Sequence, residues 1–338
     1  MTRPTTLAFC DFWPTFSRRE SMLHRAARAL GVRITPDPNE ASVLIHSDFG
    51  TRHREFAGRR IYFSGENVLP DFSTCDFALT SALIDHERHH RLPFWAFACD
   101  DPRQLIRPAA TELRGTPWRQ RGFCSFVASN PRAPERNAFL RILHRRRPVS
   151  SGGRAFNTTG RPVGDKLSFL ASHRFTICFE NTSSPGYTTE KLIDAFTAGT
   201  IPIYWGNEAV GLEFNRAAML HAADFPSLNA LADHVVAMAD DESACLQLLS
   251  APFLRDNVLP RPASDDALCE ALERAFSLPM SPRPLKPLSH RLRAHCYRSP
   301  LHQTLVSAAC RLDAALWRIG LRRPFRRIEA DDQSCEMG

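Results

Sequence analysis

Hydrophobic positions along the chain come in short bursts that alternate with longer stretches of helical period, the pattern of α/β folds. Residues 7–9, 43–46, 60–63 and 78–79 read as strands, the third running into Gly65-Glu66-Asn67. Between the first two, residues 21–30 carry Leu23, Ala26, Ala27 and Leu30 on one helical stripe. Asp100-Asp101-Pro102 and Gly115-Thr116-Pro117 mark a connection over 100–120. A second alternating set follows. It has a strand at 123–128, the turn Ser129-Asn130-Pro131 and a helix over 134–145 with Phe139, Leu140 and Leu143 as its apolar side. Pro134 stands near that helix start, where a missing N–H costs least. Further on come a helix at 165–172, a strand at 175–179, a helix at 189–198 and a strand at 201–205. Helices over 228–238, 244–249 and 267–276 complete the set. Short βα connections favour parallel strands with right-handed crossovers. The prediction is two Rossmann-like halves, with no repeat of fixed period.

Composition narrows the class. The chain has 338 residues, 43% hydrophobic and 23% charged, which excludes collagen, a coiled-coil rod and wholesale disorder. No run approaches the ~18 apolar residues of a membrane-spanning helix. The first six residues lack the apolar core of a secretion signal. Ten Cys are scattered without a CxxC pair and read as reduced thiols, so the expected compartment is the cytosol.

Net charge is +7, but it is concentrated in one place. Between Ser281 and Arg327, eleven Lys/Arg face the single acid Asp313, and Glu329, Asp331, Asp332 and Glu336 follow. Only +1 of the total therefore belongs to residues 1–280. A near-neutral body speaks against a nucleic-acid binder, which carries its charge on a structured face.

Chemistry concentrates in Cys178-Phe179-Glu180-Asn181 and the following Gly186-Tyr187-Thr188-Thr189-Glu190-Lys191. This segment joins the carboxyl end of a strand to the next helix, where α/β sheets bind ligands. With Thr188 or Thr189 as N-cap, Glu190 and Lys191 fall in the first helical turn. Free N–H groups and Lys191 favour an anion there, and a carboxylate suits a ribose diol. Local spacing alone leaves a nucleotide site and ordinary helix-dipole complementarity level. Arg136, at another strand-to-helix junction, is a second cation that can converge on a pyrophosphate; the competing reading is a surface arginine. Glu66, directly after a strand of the first half, is a candidate general base, or a loop acid bonding a backbone amide. His86, Glu87, His89 and His90 lack metal-site spacing and read as a polar loop. Ser125 and Ser129 lack a nucleophile elbow.

Taken together, the blocks at 123–130, Arg136-Asn137-Ala138-Phe139, Ser151-Gly152-Gly153, the two segments above and Ile201-Pro202-Ile203-Tyr204-Trp205-Gly206 resemble α-1,3/4-fucosyltransferases, the bacterial Lewis-antigen type above all. The resemblance is dense over about 120–225 and weaker from Tyr62 to Asn67 and at Asp71-Phe72. It implies a GT-B fold, two Rossmann-like domains facing across a cleft. Residues 1–118 are expected on the acceptor side, 119–280 around GDP-fucose, and 281–338 as a basic amphipathic tail. By the same match Arg136 and Lys191 hold the pyrophosphate and Glu190 the ribose. Tyr187 and Asn181 line the donor pocket, Glu180 lies near the fucose, and Glu66 is the general base. The implied reaction inverts GDP-β-L-fucose into an α-1,3-fucoside on N-acetylglucosamine of a lactosamine-type glycan, as in surface lipopolysaccharide. Without an Asp-x-Asp motif no obligatory metal is expected, and stimulation by Mn²⁺ or Mg²⁺ is left open. The heptad repeats of some bacterial relatives are absent, and their long insert between the halves is short here.

In the tail, Leu301, Leu305, Ala308, Leu312, Leu316 and Ile319 share a face beside Trp317, with seven arginines around them. A basic amphipathic segment with Trp suits anionic lipid, placing the protein at the inner membrane surface. The competing readings are α-1,4 regiochemistry, another sugar-nucleotide donor, or a nucleic-acid-binding protein.

Overall fold

The computed structural model describes residues 5–16, 21–107 and 117–280. In the first half, strands β1 (Thr6–Cys10), β2 (Arg33–Ile34), β3 (Val43–His46), β4 (Arg59–Ser64), β5 (Phe77–Thr80) and β6 (His89–Arg91) form one parallel sheet in the order β2-β1-β3-β4-β5-β6. Helices α1 (Met22–Ala29) and the single turn α2 (Phe94–Phe97) accompany it. β1, β3 and β5 are buried along their whole length, as parallel strands covered on both faces must be.

The second half has β7 (Gly122–Phe126), α3 (Pro134–Arg146), β8 (Ser150–Ser151), α4 (Lys166–Ala171), β9 (His173–Phe179), α5 (Glu190–Thr197), β10 (Ile201–Trp205) and β11 (Leu220–His221). Its parallel sheet runs β11-β10-β9-β7-β8. Helices α6 (Leu228–Met238), α7 (Glu242–Ser250) and α8 (Asp265–Ser277) follow. The two expected α/β halves are therefore present, and every predicted strand and helix within the described residues is found within a few residues of its place.

Three differences are informative. Strands β2, β6, β8 and β11 have only two or three residues, too few to show a period. The histidine segment is a loop only at His86 and Glu87. His89 and His90 lie in β6, and the buried His89 ring bonds Thr80 Oγ1 at 2.9 Å. Burial lowers both His pKa values to about 4. Finally, chain order groups α8 with the second half, yet Leu268, Ala271, Leu272 and Ala275 enter the first core beside α1. Arg25 and Asp265 close that contact with two hydrogen bonds of 3.1 Å.

Each sheet has its own apolar core, and a third fills the space between the halves. There Trp95, Ala96, Cys99 and Leu105 pack with Leu192, Phe196, Tyr204 and Phe214. The seven cysteines among the described residues are unbridged. The amphipathic run at 301–319 lies outside the described residues. Among those described, no helix is long and apolar enough to cross a membrane.

Candidate functional site

The carboxyl ends of β4, β7 and β9 bring Glu66, Arg136 and the 180–191 loop together. The join between the halves passes through Asn67, whose Nδ2 donates to Thr182 Oγ1 at 2.7 Å and whose Oδ1 accepts from Ser184 Oγ. Glu66, one residue earlier, lies within electrostatic reach of Lys191 and Glu190. Burial of the Glu66 carboxyl by the surrounding walls raises its pKa, Asp48 and Glu190 raise it further, and Lys191 opposes them.

Arg136 is no surface arginine: only 1% of it is exposed. It stands in the first turn of α3, which Pro134 opens. Its Nη1 donates to Asn181 Oδ1 at 2.6 Å, its Nη2 donates to the Asn130 carbonyl, and the guanidinium carbon sits 5.9 Å from the Phe126 ring centre. These partners are neutral, and Nε has none. Burial lowers the Arg136 pKa, while Glu180, Tyr187 and Glu190 act to keep the charge. A buried guanidinium held by neutral groups is suited to accept an anion.

Lys191 is arranged differently. Its Nζ lies 2.9 Å from Glu180 Oε2, 2.8 Å from Thr189 Oγ1 and 3.7 Å from Glu190 Oε1. Burial opposes the Lys191 charge, but Glu180 and Glu190 outweigh it and raise the pKa. Glu190 keeps its charge too: burial pushes its pKa up, and Lys191 and Lys166 bring it below the usual value. Glu190 remains partly open to solvent, whereas Tyr187 is 4% exposed.

The family resemblance places Glu180 against the transferred sugar. In the structure its side chain is wholly enclosed. Oε1 accepts the Thr189 N–H at 2.8 Å, and Oε2 accepts Thr189 Oγ1 at 2.7 Å together with Lys191. The physical reason is local. Thr189 is the N-cap of α5 but its own side chain caps nothing. The carboxylate takes over that duty and holds the lysine of the same turn. Helices α4, α6, α7 and α8 are capped by their own Asp or Ser, whereas α1, α2, α3 and α5 are not, the last two opening on the site.

Several supporting residues carry no signal of their role in the local sequence. Gly206 has φ +147°, and a Cβ there would meet Glu180 Cγ at 2.5 Å. Asn207 Oδ1 accepts the Gly186 N–H at 2.9 Å, and its Nδ2 donates to Thr188 Oγ1 at 3.0 Å. From the first half, Arg91 reaches Glu213 Oε1 at 2.6 Å and Oε2 at 2.9 Å and donates to the Gly186 carbonyl at 3.2 Å. Trp95 Nε1 adds a bond to Glu213 at 3.1 Å. The one usable pointer is the block ending at Gly206; the cross-half partners have none. Among the described residues no three His, Cys, Asp or Glu converge as a metal site.

Comparison with known proteins gives this geometry a family. The model described as "Alpha-(1,3)-fucosyltransferase FucT N-terminal domain" matches residues 7–98, and "Glycosyltransferase family 10 (fucosyltransferase) C-term" matches 117–250. A Helicobacter pylori α-(1,3)-fucosyltransferase is 32% identical over 285 residues, 73% of this chain and 59% of that protein. A Rattus norvegicus α-(1,3)-fucosyltransferase 4 is 36% identical over 35% of this chain and 28% of its own. The chain thus spans 59% and 28% of these relatives' length, less than two thirds of either. Among solved structures, an α1,3-fucosyltransferase crystallised with GDP-fucose superposes with TM-score 0.69 at 25% identity, covering 83% of this chain and 93% of the other. Both halves of the sequence agree: the chain belongs to the fucosyltransferases of glycosyltransferase family 10.

Proposed function

We propose that the chain is an inverting α-1,3-fucosyltransferase. It moves L-fucose from GDP-β-L-fucose to an N-acetylglucosamine hydroxyl of a lactosamine-type surface glycan. Residues 119–280 bind the donor and 1–118 present the acceptor. The observation that carries this reading is the convergence of Arg136 and Lys191 from two separate strand-to-helix turns, with Glu66 of the other half in electrostatic contact. Arg136 and Lys191 stabilise the charge that develops on the departing GDP. Tyr187 and Asn181 shape the pocket, and Glu190 bonds the ribose. Glu180 works from beneath, as counter-ion to Lys191. Glu66 removes the acceptor proton as its oxygen attacks in line with the leaving group. The fucosyltransferase solved with GDP-fucose supports the donor assignment.

The test is transfer from GDP-fucose onto N-acetyllactosamine and its β-1,3-linked isomer, with and without Mn²⁺ or Mg²⁺, the product linkage read by NMR. An α-1,3 product on N-acetyllactosamine is expected. No transfer from GDP-fucose, or an exclusively α-1,4 product, overturns the assignment.

The tail is proposed to hold the enzyme on anionic lipid, through seven arginines spread around one apolar face. Removing residues 281–338 should shift the protein from sedimenting with anionic vesicles to the supernatant and leave transfer to soluble acceptors intact. Unchanged sedimentation refutes the anchor.

A further inference from the structure

Beneath Glu66 lies a chain of polar contacts for which the donor chemistry has no use. Asp48 follows β3, and its neighbour β4 supplies two donors. Tyr62 Oη donates to Asp48 Oδ1 at 2.6 Å and Ser64 Oγ donates to Oδ2 at 2.5 Å. Ser64, 1% exposed, accepts the backbone N–H of Glu66 at 3.1 Å. The direction of every bond is forced. A carboxylate only accepts, so the single Ser64 proton points to Asp48 and its lone pair is left for Glu66. The Tyr62 hydroxyl stays protonated, because burial, with the Asp48 charge beside it, pushes its pKa up.

We propose that Asp48, acting through Ser64, is the positioning residue for Glu66: it fixes the hydroxyl that fixes the main chain of the residue meeting the acceptor. This rests on Glu66 being the base. A second effect comes with the geometry. Three charged groups act on the Glu66 carboxyl: Asp48 from its own half, and Lys191 and Glu190 from the other. Of these, Asp48 is the one tied to the Glu66 main chain through Ser64, and its negative charge favours the protonated carboxyl. It therefore raises the pH at which the base becomes available. Linking the halves is a different task, in which the neighbouring Asn67 takes part by bonding Thr182 and Ser184.

The experiment is the pH dependence of kcat/KM for fucose transfer in the full chain, with KM for GDP-fucose measured alongside. Asp48→Asn, nearly isosteric, should move the acid limb to lower pH. It should also lower the plateau kcat on the order of tenfold, the scale of a small misplacement, with donor KM unchanged. Ser64→Ala should lower kcat similarly and leave the limb where it is, because the Asp48 charge remains; Ser64→Thr should restore the rate. An inactive Glu66→Gln with an unmoved limb in Asp48→Asn overturns the proposal and spares the base. A fully active Glu66→Gln overturns both. Should Asp48→Asn not fold, Ser64→Ala decides alone: wild-type kcat there refutes the positioning role.

Discussion

At the scale of the residue, the site is a set of charges each held by a different means. Arg136 is buried among neutral partners, Lys191 is pinned by a carboxylate, and Glu66 has its ionisation opposed by burial and by Asp48. The sign of the pH effect follows. A carboxyl with a raised pKa is lost as a base when pH falls through that raised value, so transfer should decline at higher pH than an ordinary carboxylate would allow. Glu66→Gln should cut kcat at least ~100-fold, the scale of a general base, with GDP affinity retained in calorimetry. Lys191→Ala should weaken GDP itself, but it also strands Glu180, a fully enclosed carboxylate whose loss of partner costs about 3–5 kcal/mol. Lys191→Ala/Glu180→Gln removes both charges and should recover the fold without recovering GDP affinity. If the pair binds GDP as the wild type does, Lys191 is only Glu180's counter-ion. Glu66, Arg136 and Lys191 can be picked out as candidates in the sequence because Glu66 stands just past a strand and the two cations stand in the first turn of the helix that follows one. The burial of Glu180 is not, since a carboxylate in a loop reads as solvated until the Thr189 N–H that claims it is in view.

Elements show the same division. The strands and helices of five residues or more announce themselves, because a buried parallel strand is an apolar run and a covered helix an apolar stripe. Edge strands of two or three residues do not. β6 is disguised further by its sequence, His89-His90-Arg91, in which Thr80 receives His89 and Glu213 and the Ser81 carbonyl receive Arg91. Gly206, after β10, is where an element meets the site. Its φ of +147°, and the mere 2.5 Å that would separate a Cβ from Glu180 Cγ, leave no room for a side chain. Gly206→Ala should therefore cost about 1–3 kcal/mol in urea unfolding through backbone strain. Because the displaced group is Glu180, GDP affinity should fall as well. A variant as stable as wild type with unaltered GDP binding would show that the β10 turn and the lysine clamp are independent.

For the whole molecule the question is what holds two α/β halves in one working pose. Besides the apolar core between them and the bonds of Asn67, two further devices do so across long sequence separations, and neither is written in a local pattern. An apolar stripe tells that α8 is buried, not that its cover is α1, some 240 residues earlier. The second device is the ion pair of Arg91 and Glu213, largely enclosed and shared with Trp95. Because Arg91 also donates to the Gly186 carbonyl, the first half grips the loop that carries Tyr187, Glu190 and Lys191. Gly186 itself leaves no slack: a Cβ there would lie 2.4 Å from the Ser81 carbonyl of the first half. Removing one partner of such a pair leaves the other buried and uncompensated, so Arg91→Ala and Glu213→Ala should each cost roughly 3–5 kcal/mol. The double variant should cost clearly less than their sum, since it leaves neither charge behind. Donor KM should rise in Arg91→Ala, which frees the Gly186 carbonyl. It should rise less in Glu213→Gln, where Arg91 still reaches that carbonyl. Equal donor KM in all of these, measured at saturating acceptor, would mean that the pair only fastens the halves and that the donor loop keeps its shape unaided.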